Sequence, residues 1–125
     1  MLRRKPRPTV TLTRPDGEVV CERCSVAATA SSRLKGLLGH SGLERGEGLL
    51  LRPASSIHTF FMRFPIDVVF LDRELGVRKV VPELGPWKLA FARGARSALE
   101  LAPGEAERRG VAAGQRLLIR ELEQA

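Results

Sequence analysis

One carboxylate, Asp67, lies inside an otherwise apolar run, and this is the first place where the sequence could do chemistry. The run, residues 57–72, reads IHTFFMRFPIDVVFLD. An ionised carboxylate that is buried away from water is strongly destabilising unless it is paired or hydrogen-bonded. Asp67 therefore needs a partner, a shifted pKa or a function.

Two hypotheses account for Asp67. In the structural one, its carboxylate accepts hydrogen bonds from a backbone turn or pairs with Arg52 or Arg63, and so fixes the register of its strand. In the functional one, Asp67 lines a small pocket as a general base or ligand anchor beside His58 or Thr59. We favour the structural hypothesis, because buried polar groups are usually satisfied rather than reactive.

His58 is the second candidate for chemistry. In an extended strand it would share a face with Phe60 and Met62, where a lone histidine is more often a hydrogen-bonded core residue than a catalyst. A nucleophile and base must lie within hydrogen-bond reach, but Thr59 would point to the opposite face. The sequence also has no nucleophile elbow, phosphate-binding loop or dinucleotide fingerprint. We therefore do not expect an enzyme, and keep a hydrolase that uses Asp67 with His58 as an alternative.

Cys21 and Cys24 form a Cys-Xaa-Xaa-Cys pair. A redox pair of this kind needs the N-terminus of a helix, whereas these cysteines lie in an extended context. As zinc ligands they supply two of four positions, and His40 and His58 are too scattered to form a tight second pair. We expect two reduced, partly buried cysteines, with no metal and no cofactor, and Cys21 and Cys24 remain weak metal candidates.

The length and charge pattern predict one globular domain with a basic arm. The chain has 125 residues and a net charge of +7, and five bases with no acid fall within residues 1–14. We assign residues 1–8 to a flexible arm and residues 9–125 to a single domain. The arm could bind nucleic acid weakly through phosphates, but no aromatic residue is interleaved for base stacking, so we expect no nucleic-acid partner.

The sequence lacks an apolar stretch long enough to span a membrane, and the basic N-terminus lacks the apolar segment of a secretory signal. We expect a cytoplasmic protein without membrane contact.

Short extended segments bounded by Gly and Pro position these residues. They predict a mainly β fold, a compact β-sandwich or partly open β-barrel with about two short helices. Seven or eight short strands are expected from the extended segments 9–13, 18–26, 48–52, 56–63, 66–71, 77–81, 87–92, 95–101 and 115–123. The predicted helices are residues 33–38, capped by Ser31 or Ser32, and residues 103–110. The strand 66–71 is apolar on both faces, which indicates that it is covered on both sides.

Several short motifs, in order, resemble one known family. They are RLKGLLG at 33–39, GL at 48–49, PIDVVFLD at 65–72, LELAPG at 99–104, and Gly110-Val111 with Gly114. Their order and spacing over roughly residues 20–119 are similar to the domain of unknown function 192. The resemblance implies a compact β-rich fold found in many bacterial and archaeal proteins, with no established activity.

This chain departs from the family pattern at two positions. Many members carry an arginine where this chain has His40, and Trp-Met-Lys-Asn-Thr where residues 58–62 read HTFFM. Only Asp67, the glycines and the apolar frame transfer from the family.

Together these observations predict an uncharacterised small ligand-binding or accessory domain. The expected site is shallow, beside the glycine-rich loop 39–48, and a small molecule is the expected partner. The candidate ligand-binding residues are His40, His58, Thr59, Arg63 and Asp67. The sequence does not predict the oligomeric state.

Overall fold

The computed structural model describes residues 9–28 and 42–121, which form nine β-strands and one short helix. The elements are β1 (Thr9–Thr13), β2 (Val19–Ala27), β3 (Glu47–Leu51), β4 (Ser56–His58), β5 (Ile66–Leu71), β6 (Val77–Leu84), β7 (Leu89–Phe91), β8 (Ser97–Leu101), α1 (Glu105–Arg108) and β9 (Leu118–Glu121). The predicted helix at 33–38 lies outside the described residues.

Seven strands form one mixed sheet in the order β6-β5-β8-β3-β2-β1-β9, and β4 pairs with β7 in a separate two-stranded ribbon. The β2–β3 pair is parallel and the other pairs are antiparallel. The two edges of the large sheet meet at one end, where Leu117 N donates to Leu75 O at 2.9 Å and Val77 N donates to Gln115 O at 2.7 Å. The sheet is therefore curved and partly open, not a closed barrel, and the prediction of a mainly β fold is confirmed.

Strand β5 has a core on each side. All six of its residues are buried, as its apolar faces predicted. The inner core lies on the concave side that Val69 and Leu71 face, and it includes Ala106 and Val111 from the region of α1. The outer core lies between the sheet and the β4–β7 ribbon; its members are Ala27, Leu49, Leu51, Ile57, Met62, Phe64, Ile66, Val68, Phe70, Ala90, Ala92, Ala95 and Ala98.

β2 and β3 are each shifted by one residue from the prediction, and β8 and β9 begin two and three residues later than predicted. Three further strands differ because the backbone turns or bulges where the side-chain pattern gives no sign of it. The predicted strand 56–63 ends at His58, and the predicted strand 87–92 shrinks to β7. In each case an aromatic residue, Phe61 or Trp87, has a left-handed backbone conformation. The predicted strand 77–81 instead continues through Pro82 to Leu84, because a bulge in β6 accommodates the proline.

The C-terminal helix is shorter than predicted. It begins after Gly104, which occupies the N-cap position at φ 86°, so Pro103 is not its first helical residue. The Arg14–Gly17 turn between β1 and β2 forms as predicted, with Gly17 N donating to Arg14 O at 3.0 Å.

Cys21 and Cys24 both lie in the inner core as free, buried thiols. Residues three apart in a regular strand face opposite sides, but here Val10 pairs with Cys24 and Leu12 with Cys21, so a bulge inserts an extra residue in β2. The pKa of the Cys24 thiol is raised, first by a hydrogen bond with the Cys21 thiol and to a smaller extent by burial. Among the described residues no group of three metal-binding side chains occurs.

Gly48 is required by close packing in β3. A Cβ at this position would lie 2.8 Å from Cys21 Sγ and 3.1 Å from the backbone oxygen of Glu100. We therefore expect Gly48→Ala to lower the free energy of unfolding by about 1–3 kcal/mol, as overpacking does. Chemical denaturation measures this change. Gly42→Ala, where an added Cβ meets nothing within 4 Å, is the control and should stay within about 0.5 kcal/mol of the parent protein. Equal stability of the two variants would contradict the close packing.

Candidate functional site

The Asp67 carboxylate is fully buried and accepts three backbone hydrogen bonds. Its Oδ1 accepts from Glu83 N at 2.8 Å and from Gly104 N at 3.1 Å, and its Oδ2 accepts from Ala106 N at 2.9 Å. The donors are backbone groups, not Arg52 or Arg63. Asp67 therefore has the partners that the structural hypothesis requires.

The position of Asp67 explains why the chain places a carboxylate there. It lies opposite the bulge in β6, where Ile66 pairs with Leu84 but Val68 pairs with Val81. It also reaches the first turn of α1, whose N-cap residue has no side-chain cap of its own. Asp67 thus satisfies helical and bulge N–H groups that would otherwise be buried without an acceptor.

Thr59 is a buried structural clamp between two loops. Its hydroxyl donates to Gly85 O at 2.6 Å and accepts from Lys88 N at 2.8 Å. Its backbone oxygen accepts from Trp87 N at 2.9 Å and from Met62 N at 3.1 Å. The turn after β4 and the loop before β7 are therefore held side by side.

The structure does not gather the predicted ligand-binding residues into one site. His58 and Arg63 are exposed, and the His58 ring lies 4.9 Å from the Phe60 ring. Asp67 faces the inner core, whereas β4, which carries His58, packs against the outer core. His40 lies outside the described residues. His58 and Thr59 are adjacent, but Asp67 is on the other side of β5.

An exposed aromatic surface covers the outer side of the β4–β7 ribbon. We call it the aromatic ribbon and define it as His58, Phe60, Phe61, Trp87, Leu89 and Phe91. Phe61 is 71% exposed and Trp87 is 59% exposed, and their ring centroids are 4.7 Å apart. The Phe60 and Trp87 rings stack with centroids 5.9 Å apart. Of the six exposed large apolar side chains in the described residues, five belong to this surface.

The two most prominent rings stand on strained backbone. Phe61 has φ 67° and Trp87 has φ 63°. Among the described residues Leu75 and Glu83 are also left-handed, but they lie outside the ribbon. Bulky residues rarely adopt this left-handed region, and each costs on the order of 1–3 kcal/mol there. Such strain persists where surrounding structure enforces it, and the Thr59 clamp provides that constraint.

Sequence reasoning missed the aromatic ribbon because it assigned its residues to regular strands. In a strand that ran to residue 63, alternate aromatic residues would face the core. The signal that could have found the ribbon was the clustering of four of the six aromatic residues in two short segments, 58–63 and 86–91.

Glu100 is a second buried carboxylate that sequence reasoning missed. It lies in β8, paired with Leu49 on one side and Val68 on the other, and is 5% exposed on the face of the outer core. Within the described part of the chain its Oε2 has no hydrogen-bond partner. Burial raises the pKa of Glu100 to about 7. The signal was the one that marked Asp67, a lone carboxylate in an apolar run, SALELA at 97–102.

A salt-bridge network ties α1 to β2 on the inner side of the sheet. Arg109 Nη1 lies 2.8 Å from Glu22 Oε1, and Arg109 Nε lies 3.1 Å from Glu105 Oε2. Burial would raise the pKa of Glu105, but its hydrogen bond with Arg108 and the charge of Arg109 outweigh burial and lower that pKa. This buried carboxylate is compensated, unlike Glu100.

These features define a small, mainly β domain with an exposed aromatic surface and a satisfied structural carboxylate. The family model of the domain of unknown function 192, described as "Uncharacterized ACR", matches residues 11–119. The chain belongs to this family.

Two solved structures share the fold. A protein of unknown function from Novosphingobium aromaticivorans DSM 12444 is 24% identical, with a TM-score of 0.75 over 88% of this chain and 83% of that chain. A protein from Sinorhizobium meliloti 1021, described as "a putative transcription regulator", is 21% identical, with a TM-score of 0.80 over 95% of this chain and 98% of that chain. At these identities the similarity shows the fold alone. No curated protein matches the chain.

The described residues contain no helix that is long and apolar enough to cross a membrane.

Asp67→Asn tests the structural role of the carboxylate. The amide keeps the shape but replaces one acceptor oxygen with a donor, which then faces a backbone N–H. We expect the free energy of unfolding to fall by about 3 kcal/mol or more, because hydrogen bonds to a charged group are lost and a buried donor is left unpaired. Urea denaturation measures this loss. Asp16→Asn, in the exposed β1–β2 turn, should cost less than about 1 kcal/mol. Full stability of Asp67→Asn would contradict the role.

Glu100→Gln tests the unpaired burial of Glu100. Because its native pKa of about 7 lies above the usual glutamate value, the native state retains a proton that the unfolded chain loses first. The stability from this proton is present at low pH and is lost as the pH rises through 7. The stability of Glu100→Gln relative to the parent protein should therefore increase by about 2 kcal/mol from about pH 5 to about pH 8.

Urea denaturation at both pH values measures this difference. The exposed Glu107→Gln is the control, whose stability relative to the parent protein should change little over the same interval. A pH-independent difference for Glu100→Gln would show that the carboxylate is compensated in solution.

Proposed function

We propose that this domain is a non-catalytic binding domain that contacts its ligand through the aromatic ribbon. One observation carries the proposal: Phe61 and Trp87 adopt strained left-handed backbone conformations, and both side chains are exposed. Strain of this kind concentrates at binding and catalytic sites, where surrounding structure holds it in place.

The size of the exposed surface supports the proposal. Single exposed apolar residues are common and need no explanation, whereas contiguous ones mark interaction sites. The Trp87 ring contacts the rings of both Phe60 and Phe61. Leu89 and Phe91 extend this surface along β7. Aromatic residues dominate binding energy at interfaces because they bury a large area with few rotatable bonds.

The chemistry of the ribbon favours binding over catalysis. It presents ring faces, one aliphatic side chain and the imidazole of His58. The His58 Nδ1 accepts from Phe60 N at 3.3 Å, so the one lone pair of the neutral imidazole is engaged and Nε2 carries the proton. The Thr59 hydroxyl beside it is held by backbone groups of the opposing loop. The exposed rings are therefore the part of this surface that is available to a ligand.

The support around the ribbon suits a binding surface that is already formed. The inner residues of the ribbon strands, Ile57 and Ala90, are buried in the outer core. The Thr59 clamp joins the two aromatic loops. A preorganised surface loses little conformational entropy on binding, which favours affinity.

Trp87 is the only tryptophan in the chain, so its fluorescence reports directly on the ribbon. We expect a panel of nucleotides, oligonucleotides, oligosaccharides, acidic peptides and lipid vesicles to contain a ligand that changes Trp87 emission. For that ligand, Phe61→Gly and Phe91→Ser should each weaken binding by about tenfold or more. Leu118→Ser is the matched control, since Leu118 is 50% exposed but lies on β9. The affinity of this variant for the ligand should stay within about threefold of that of the parent protein.

The stability of the variants separates binding from folding. Glycine relieves the left-handed strain at Phe61 while the ring contact with Trp87 is lost, so Phe61→Gly should remain within about 1 kcal/mol of the parent protein. Weakened binding at unchanged stability supports the proposal. A ligand whose affinity is the same in both ribbon variants and in Leu118→Ser would refute it.

A further inference from the structure

A cleft rich in positive charge borders the aromatic ribbon at Phe91. Its volume is about 490 Å³, and its described lining residues are Val77, Arg78, Lys79, Phe91, Ala92, Arg93, Ala113 and Gly114. We call it the basic cleft and define its charged residues as Arg78, Lys79 and Arg93. Its volume is in the range of pockets that hold small ligands or part of a larger one.

The three cations of the basic cleft are not neutralised by ion pairs. Among the described residues, none of the salt bridges within 4.0 Å includes Arg78, Lys79 or Arg93, and no carboxylate lines the cleft. The charge of Arg78 also acts on the Asp72 carboxylate, which lies outside the lining, so the cleft itself keeps an excess of positive charge. Such an excess raises the local concentration of anions. The cleft therefore favours an anionic group.

Two of these cations are fixed by the ribbon segment itself. Lys79 Nζ donates to Phe91 O at 3.0 Å and lies 5.5 Å from the centroid of the Phe91 ring. Arg78 Nε donates to Arg93 O at 3.3 Å. The Lys79 charge is thus held beside an exposed aromatic ring, and Arg78 is held at the turn that follows β7.

Exposed apolar side chains continue beyond the cleft. Phe91 and Leu89 lie two residues apart on one face of β7, about 7 Å along the strand. Trp87 precedes them in the chain, and its ring contacts the rings of Phe60 and Phe61. A ligand held at the cleft could therefore contact rings over more than the length of one nucleotide. Cations that follow a backbone, beside rings on which bases stack, are the features of single-strand binding.

We propose that the ligand of the aromatic ribbon is a single-stranded nucleic acid. Its phosphates bind Arg78, Lys79 and Arg93 in the basic cleft, and its bases stack on Phe91 and the rings that follow. This inference rests on the proposed binding function of the ribbon. It does not involve the basic arm, for which the absence of interleaved aromatic residues argued against nucleic acid.

The first test measures the contribution of charge in the full-length protein. A labelled oligothymidylate of roughly twelve nucleotides, within the usual site size of such surfaces, is titrated by fluorescence anisotropy at several salt concentrations. Arg78→Gln/Arg93→Gln should weaken binding by about tenfold or more and reduce the slope of log K against log salt by about 1.4, for two lost phosphate contacts. Arg23→Gln/Arg120→Gln removes the same charge from exposed positions outside the cleft and should change affinity by less than about threefold.

The second test measures stacking. Phe91→Ala should weaken oligothymidylate binding by about tenfold and should leave the binding of inorganic polyphosphate of similar charge unchanged. Trp87 emission should be quenched by the oligonucleotide and not by polyphosphate. Leu118→Ala serves as the matched apolar control. Urea denaturation of each variant excludes loss of folding as the cause.

The outcomes separate this inference from the proposed function. Loss of oligothymidylate binding in both the cleft and Phe91 variants supports the inference. Equal binding of polyphosphate and oligothymidylate without dependence on Phe91 overturns it, and so does binding that the cleft variant leaves intact. If vesicles or another probe bind in a ribbon-dependent manner while oligothymidylate does not, the nucleic-acid inference fails and the binding function stands. If no probe depends on the ribbon, both fail.

Discussion

The rest of the structure depends on the hydrogen bonds that the Asp67 carboxylate accepts from three backbone N–H groups. These bonds join β5 to the bulge of β6 and to the first turn of α1, which are far apart in sequence. The inner core closes here, because Ala106 lies in this turn and its side chain packs into that core. A helix of only four residues has little stability of its own, so its position depends on such tertiary contacts.

The fixed position of β5 makes its other face a support for the aromatic ribbon. Ile66, Val68 and Phe70 form part of the outer core, against which the buried residues of β4 and β7 pack. The Thr59 clamp then holds the two loops whose left-handed residues expose their rings. Strained aromatic residues can persist on this surface because the sheet beneath it is rigid, as is usual for binding loops.

The sequence predicted the elements whose side-chain period and boundary residues agree. The bounds of β1 and β5 were predicted correctly. β1 alternates and ends at turn residues, and β5 is continuously buried and begins after Pro65. It failed where backbone geometry overrides the pattern. Nothing in an aromatic residue indicates a positive φ, so the turn at Phe61 was predicted to be strand. Pro82 was predicted to end its strand, because a bulge such as the one in β6 leaves no local signal in the sequence. That Asp67 needs hydrogen-bond partners was predictable from its apolar surroundings, whereas its three donors depend on tertiary placement.

The two sides of the curved sheet differ in how well their polar groups are compensated. On the inner side, Asp67 is saturated with hydrogen bonds, and Glu105 is neutralised by two arginines. On the outer side, the Oε2 of Glu100 has no partner among the described residues. Left-handed residues occur on both sides, at Leu75 and Glu83 as well as at Phe61 and Trp87, but the two aromatic ones expose large apolar side chains. Unfavourable terms of this kind are retained in proteins mainly where function requires them. The inner side therefore provides the stability that allows the outer side to keep the exposed aromatic ribbon and basic cleft, for which we propose a binding function.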